Sequence, residues 1–194
     1  MKFDQMGLDN ALTQAVAHAG YATATEVQQA AIAPALAGAD LMVSSATGSG
    51  KTASFILPAL QRVLEARAEF HVLRTADVST AQPARRDTPR RAARILVLVP
   101  TRELALQVAK AADTYGRMVK NLRVATIVGG VPYPAQLSAL RAGPDIVIAT
   151  PGRLLDHMQS GRCDLSGVEL LVLDEADRML DLGFIDDINT IAAA

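Results

Sequence analysis

The stretch Ser44-Ser45-Ala46-Thr47-Gly48-Ser49-Gly50-Lys51-Thr52 decides how this chain reads. It closes a short apolar run at residues 41–44 and opens a helical pattern at residues 51–66. Glycines let main-chain N–H groups approach an anion, and the following helix N-terminus adds positive potential. Gly48 and Gly50 meet that need, with Ser45, Ala46, Thr47 and Ser49 completing a cradle. Lys51 is spaced to reach the β- and γ-phosphates of a nucleotide, and the Thr52 hydroxyl to ligate Mg²⁺. Ser45 stands where such a motif usually has its first glycine. A glycine-rich turn capping a helix would look similar. The preceding strand, the following helix and a partner motif downstream favour the nucleotide.

That partner is Leu170-Leu171-Val172-Leu173-Asp174-Glu175-Ala176-Asp177. It sets two carboxylates at the tip of an apolar strand. Asp174 can hold a water of a magnesium ion, whose preference is for hard oxygen ligands. Glu175 can orient or deprotonate an attacking water. Simple N-capping by Asp174, with Glu175 and Asp177 near the positive helix end, explains any one of these residues but not the set. Together the two stretches predict a magnesium-ATP site.

Five apolar runs read as strands: residues 41–44, 95–99, 124–128, 146–149 and 170–173. They are rich in Val, Ile and Leu and show little alternation, which suits strands buried on both faces of a parallel sheet. Helical stretches lie between them, so an α/β sheet with crossover helices is predicted, its ligands at the carboxyl ends of the strands. Residues 1–37 form a helical segment, with helices at 8–19 and 26–37 and a kink or break at Pro34. Residues 38–194 form the sheet domain. Residues 67–94 interrupt the pattern with Pro83, Pro89 and five arginines from Arg85 to Arg94, and residues 67–93 are expected to be a flexible insertion loop.

Composition narrows the function classes. The 194 residues suit one domain, half of them hydrophobic and a fifth charged. The net charge of −1 argues against a strongly basic nucleic-acid binder, so polyanion contacts must come from individually placed arginines. Aromatics make up 4% of the chain and tryptophan is absent, which disfavours a base-stacking platform. No run is long and apolar enough to cross a bilayer. Cys163 is the only cysteine, so no internal disulfide can form, and a cytoplasmic location is expected.

With Asp174-Glu175-Ala176-Asp177 in view, the chain resembles the first RecA-like domain of a DEAD-box RNA helicase. Further motifs of that family follow in order: Pro100-Thr101-Arg102-Glu103-Leu104-Ala105 after the second strand, Gly129-Gly130 after the third, and Thr150-Pro151-Gly152-Arg153-Leu154 after the fourth. Gly20-Tyr21 through Gln28 resembles the adenine-recognising segment, with Phe3 as its upstream aromatic. The family usually has prolines where this chain has Ala24 and Glu26. The resemblance implies a RecA-like P-loop NTPase fold, a mostly parallel sheet flanked by helices on both faces. It also implies ATP and Mg²⁺ as cofactors, RNA as partner, and Asp177 as an interdomain coupling residue.

Each motif also has its own physical reading. The Gln28 amide can donate and accept at once, complementing N6 and N7 of adenine. Thr25-Glu26-Val27-Gln28 is equally a capping box, so the residues alone leave both readings open and the resemblance favours adenine. Phe3 can stack on the base or anchor the terminus in the core. Thr101 and Thr150 are spaced to cap helices, Pro151 suits a first helical position, and Arg102 and Arg153 lie in first turns. With Gly129, Gly130 and Gly152 they outline a track for a nucleic-acid backbone, tolerant of sequence and weakened by salt.

Beyond Ala194 the resemblance implies a Ser-Ala-Thr motif and a second RecA-like domain that supplies arginine fingers, so this fragment is expected to bind nucleotide with little activity of its own. Two other functions remain compatible with the residues: a nucleotide-dependent clamp on RNA or protein without unwinding, and a DNA translocase.

Overall fold

The computed structural model describes residues 1–76 and 92–194. The described residues form two compact units, one from residues 1–76 and 114–120, the other from residues 92–113 and 121–194.

In the first unit a 3-10 turn, Phe3–Gln5, precedes α1 (Asn10–His18), α2 (Glu26–Leu36) and α3 (Lys51–Ala76). Asp9 caps α1 by accepting the Ala11 N–H at 2.7 Å, and Thr25 caps α2 in a full capping box with Gln28. The core is Leu12, Ile32, Ile56, Leu57 and Leu60, all fully buried. Packing of α2 on α3 dominates this unit. Pro34 lies in the last turn of α2 without splitting it: it forgoes only its own N–H bond, and the Ala37 N–H still closes onto the Ala33 carbonyl.

Two expectations fail in this unit. Residues 41–44 form no strand, and Leu41, Met42 and Val43 are exposed, Met42 completely. An apolar run becomes a strand only where a neighbouring strand takes its N–H and C=O groups, and residues 41–44 pair with none of the described residues. Secondly, α3 runs to Ala76, so the first ten residues of the expected loop, 67–76, are helical. Leu, Glu, Ala and Arg around 64–69 are good helix formers and carry the helix onward. Residues 77–91, with four of the five arginines, lie outside the described residues, and Ala93 at the end of the expected loop is buried in the core of the second unit.

The second unit is built on four parallel strands, β1 (Ile95–Leu98), β2 (Val124–Ile127), β3 (Ile146–Ala149) and β4 (Leu170–Leu173), in the order β2-β3-β1-β4. Helices α4 (Arg102–Tyr115), α5 (Tyr133–Arg141) and α6 (Pro151–Gln159) follow the first three, and α7 (Ala176–Asp181) and α8 (Ile185–Ala192) follow β4. Successive residues of β1 point to opposite faces, yet all four are at most 2% exposed, so both faces are covered. One face packs Leu96, Leu98, Ile127 and Val147 against Leu154, Met179 and Ile188 from α6, α7 and α8. This is the parallel α/β sheet expected from the sequence. β4 departs from the double-sided burial expected of it. Among the described residues it pairs with β1 alone, and Leu171 and Leu173 are 38% and 40% exposed. Its apolar pattern is that of an inner strand, but its position among the described strands is an edge.

Candidate functional site

The phosphate cradle lies in the first unit. Gly48 and Gly50 adopt φ of +80° and +94°, a region costly for any residue with a Cβ. Ser45 and Ser49 close the loop with their hydroxyls 2.6 Å apart. The Lys51 ammonium folds back onto the loop, donating to the carbonyls of Ser45 and Ala46. The cradle's own oxygens thus occupy the cation that a phosphate would claim. Thr52 follows in the first turn of α3, half-buried.

Gln28 joins this loop to α2. Its Oε1 accepts the Thr25 N–H at 2.9 Å, and its Nε2 donates to the Gly50 carbonyl at 3.2 Å. Both ends of the amide are in use, so the capping box is the role visible here. A purine would have to use the second hydrogen and lone pair of the amide or replace these partners. Any Cβ on residue 50 would lie 2.4 Å from Gln28 Nε2, so only glycine allows the approach. Phe3 is 5% exposed, which fits an anchor for the terminus. Tyr21 is exposed, its ring centroid 6.3 Å from that of Tyr115. Burial pushes the Tyr115 hydroxyl up to about 12, with Tyr21 adding a smaller push.

In the second unit the carboxyl ends of the strands are level. Leu98 pairs with Ala149 and Leu173, and Ala149 with Ile127. The motifs that follow these residues are therefore gathered along one edge, the edge where parallel α/β sheets bind ligands. After β4, Asp174 continues the ladder by donating its N–H to Leu98. Glu175 then takes φ 54° and ψ 49°, a left-handed conformation in a residue that is not glycine. Such backbone costs about 1 kcal/mol and tends to mark functional sites. Glu175, not Asp174, occupies the N-cap position of α7, and it makes no side-chain cap bond. Capping therefore does not explain the Glu175 carboxylate. Glu175 Oε2 lies 3.3 Å from Arg178, and Asp177 is exposed.

The remaining motifs on this edge differ in detail. Thr101 caps α4 as expected, accepting the Leu104 N–H at 3.2 Å. Thr150 occupies the N-cap position of α6 but makes no side-chain cap bond, contrary to expectation; Pro151 at the first helical position already fixes φ for the helix start without it. Arg102 donates to the Gly130 carbonyl at 3.3 Å, and Gly130 has φ +72°. Gly129 and Gly130 are exposed, Gly152 half-buried, and Arg153 lies 3.8 Å from Asp156.

Two features escaped the sequence reading. Gln136 of α5 is 2% exposed and bonded to the turn around Gly129. His157 of α6 is fully buried, stacked on Tyr133 at 4.0 Å, with neither ring nitrogen hydrogen-bonded among the described residues. Burial foremost, then Arg153, lowers its pKa from the usual imidazole value. A polar residue at an inward helical position was the available signal in both cases. The half-buried Cys163 thiol is pushed up to about 11 by burial foremost and Asp164, which leaves it a poor nucleophile. Among the described residues no cluster of three His, Cys, Asp or Glu could hold a metal unaided. A magnesium ion chelated by phosphates needs only one or two protein ligands, and the Thr52 hydroxyl and Asp174 carboxylate have the right chemistry.

A sequence model of the DEAD/DEAH box helicase family matches residues 25–194. The chain is 42% identical over 191 residues to the ATP-dependent RNA helicase DeaD of Escherichia coli K12, an alignment covering 98% of this chain and 27% of that protein. It is 43% identical over 190 residues to the probable ATP-dependent RNA helicase ddx27 of Dictyostelium discoideum, covering 97% and 22%. A crystal structure of a hypothetical ATP-dependent RNA helicase from Sulfolobus tokodaii superposes with a TM-score of 0.77 at 38% identity, covering 96% of this chain and 47% of that one. The chain spans about a quarter of the length of the curated relatives it matches.

Proposed function

This chain belongs to the DEAD/DEAH box helicase family, and on that premise we propose that it is the ATP-binding domain of an ATP-dependent RNA helicase. The observation that carries the reading is the level carboxyl edge of β2, β3, β1 and β4, each strand running directly into one motif. ATP is held by the cradle, Ser45 to Thr52, with Gln28 and Tyr21 toward the adenine. Lys51 leaves the Ser45 and Ala46 carbonyls to contact phosphate, exchanging two neutral acceptors for a charged one. Magnesium, when bound, would neutralise phosphate charge, and the Thr52 hydroxyl and Asp174 carboxylate are the groups that would hold it. Glu175 orients the attacking water and takes its proton. Its left-handed backbone, fixed by β4 on one side and α7 on the other, limits the directions in which its carboxylate can point.

RNA is bound along the same edge of the second unit through its backbone, by Thr101, Arg102, Gly129, Gly130, Thr150, Gly152 and Arg153. Phosphate contacts of this kind fix position without reading sequence. Turnover and strand separation belong to a longer protein, with a second RecA-like domain supplying arginines to the γ-phosphate, an effect worth about a thousandfold or more in rate. Asp177 couples the two domains. The location is cytoplasmic, consistent with a single thiol; among the described residues no helix is long and apolar enough to cross a membrane.

The test is Glu175→Gln in the full-length protein. RNA-stimulated ATP hydrolysis should fall at least a hundredfold while nucleotide affinity stays within about twofold, as expected for loss of a general base. Undiminished hydrolysis would exclude Glu175 from the chemistry. The chain alone should not separate a short RNA duplex.

A further inference from the structure

Gln136 sits in the second turn of α5, a helix that begins just after the Gly129–Gly130 turn. At 2% exposure it is among the few buried polar residues of the chain. Its Nε2 donates to the Val128 carbonyl at 2.9 Å and to the Val131 carbonyl at 3.0 Å. Those two carbonyls flank the glycine pair, and both amide hydrogens are spent on them. The other end of the amide is poorly served: Oε1 is buried with no hydrogen-bond partner among the described residues. An unpaired buried acceptor lowers stability, so an apolar side chain of this size would suit the packing better. Glutamine at this position therefore gains its advantage from what Nε2 holds.

What it holds is the orientation of the turn. Three of the four carbonyls from 128 to 131 are engaged by side-chain donors, two by Gln136 and that of Gly130 by Arg102 at 3.3 Å. No backbone carbonyl among the described residues accepts the Gly129 or Gly130 N–H, and both glycines are exposed. Oxygens drawn toward the protein and N–H groups left to solvent make a backbone concavity suited to an anion. Gly130 at φ +72° supplies the left-handed step such concavities use. Without the Gln136 amide, the Val128 and Val131 carbonyls would need other donors and could turn outward to find water. They would then present negative ends where a phosphate approaches.

We propose that Gln136 is a positioning residue for nucleic-acid binding: its amide draws in the carbonyls around Gly129–Gly130, so that the N–H groups of this turn receive a backbone phosphate. The proposal rests on the reading of this edge as a nucleic-acid track. Gln136 touches no phosphate itself and acts only through the backbone.

The test uses the purified chain and a fluorescent single-stranded oligouridine, with affinity measured by anisotropy across a salt series. Gln136→Met keeps length and apolar volume but cannot donate. It should weaken binding about tenfold and flatten the slope of log affinity against log salt by about 0.7, the value of one single-strand phosphate contact. Backbone amide resonances should shift at residues 128–131 and around the substituted position, and nowhere else. Calorimetry with an ATP analogue, expected to be unchanged, checks that the variant is folded. If Gln136→Met does not fold, Gln136→Asn, which is too short to reach both carbonyls, is read the same way. Arg102→Ala and Arg153→Ala run in parallel. If these weaken binding while the Gln136 variants leave affinity and slope at the wild-type value, the positioning role is overturned and the track stands. If none of the variants changes binding, the track is refuted and the positioning role with it.

Discussion

Gly50 shows most compactly how sequence and site are joined at the scale of a residue. Two separate demands fall on it: a backbone at φ +94°, and room for the Gln28 amide where a Cβ would sit. Gly50→Ala should therefore destabilise the chain by about 1–3 kcal/mol, combining backbone strain with a steric conflict. It should also free Gln28 from its carbonyl partner. Thermal denaturation would read the first effect and nucleotide affinity the second; an alanine variant as stable as the wild type would contradict the geometry. At this scale the sequence marks Gly48, Gly50, Lys51, Asp174 and Glu175 as candidates by type and spacing, and the structure shows the positive φ expected of the two glycines. Glu175 was legible as a carboxylate but not as a left-handed residue, because nothing in the tetrapeptide announces positive φ. Gln28 remained ambiguous for a different reason. One amide can serve a capping box and a ligand, and the sequence of both is the same.

At the scale of elements, legibility depended on whether local pattern or neighbours decided the outcome. Four of five apolar runs became strands because partners lie beside them; residues 41–44 are also mostly apolar but have no ladder among the described residues. β4 reads as an inner strand and is half exposed for the same reason. The end of α3 was misjudged because a helix stops where capping or packing stops it, and neither is encoded in the first arginine of a charged stretch. The contact between α5 and α6 was invisible in sequence, since Tyr133 and His157 are 24 positions apart in different helices. Tyr133 also meets Ser160 at 2.9 Å and carries the Arg162 guanidinium 5.8 Å from its ring centroid. His157 is the titrating member of this joint. Its folded pKa lies below the unfolded value of about 6.5, so the folded state binds fewer protons than the unfolded one. Stability is then independent of this group above about pH 6.5 and falls as pH drops below it. His157→Phe keeps the stacked ring and removes the titration. Its loss of stability between pH 7 and 5 should be smaller than that of the wild type in denaturant unfolding. Equal losses would show that His157 does not titrate differently on folding. The exposed Arg94–Glu169 pair, by contrast, contributes little to stability.

For the whole molecule, charge and composition set limits that the motifs then filled. A chain with net charge −1 and 4% aromatic residues cannot hold a polynucleotide by bulk attraction or a stacking surface. It can do so through arginines and free N–H groups gathered at the ends of parallel strands, as the level edge of the sheet provides. The fold class was therefore readable from alternating strand and helix patterns, and family membership from the order of the motifs. The remaining claim is that the Lys51 loop is a triphosphate site and not a decorated helix start. Calorimetric titration of the chain with magnesium and a non-hydrolysable ATP analogue, beside Lys51→Ala, tests this most directly. The account predicts one nucleotide bound per chain and an affinity at least tenfold weaker in the variant, about 1.4 kcal/mol or more. Equal affinities for the two proteins would contradict it.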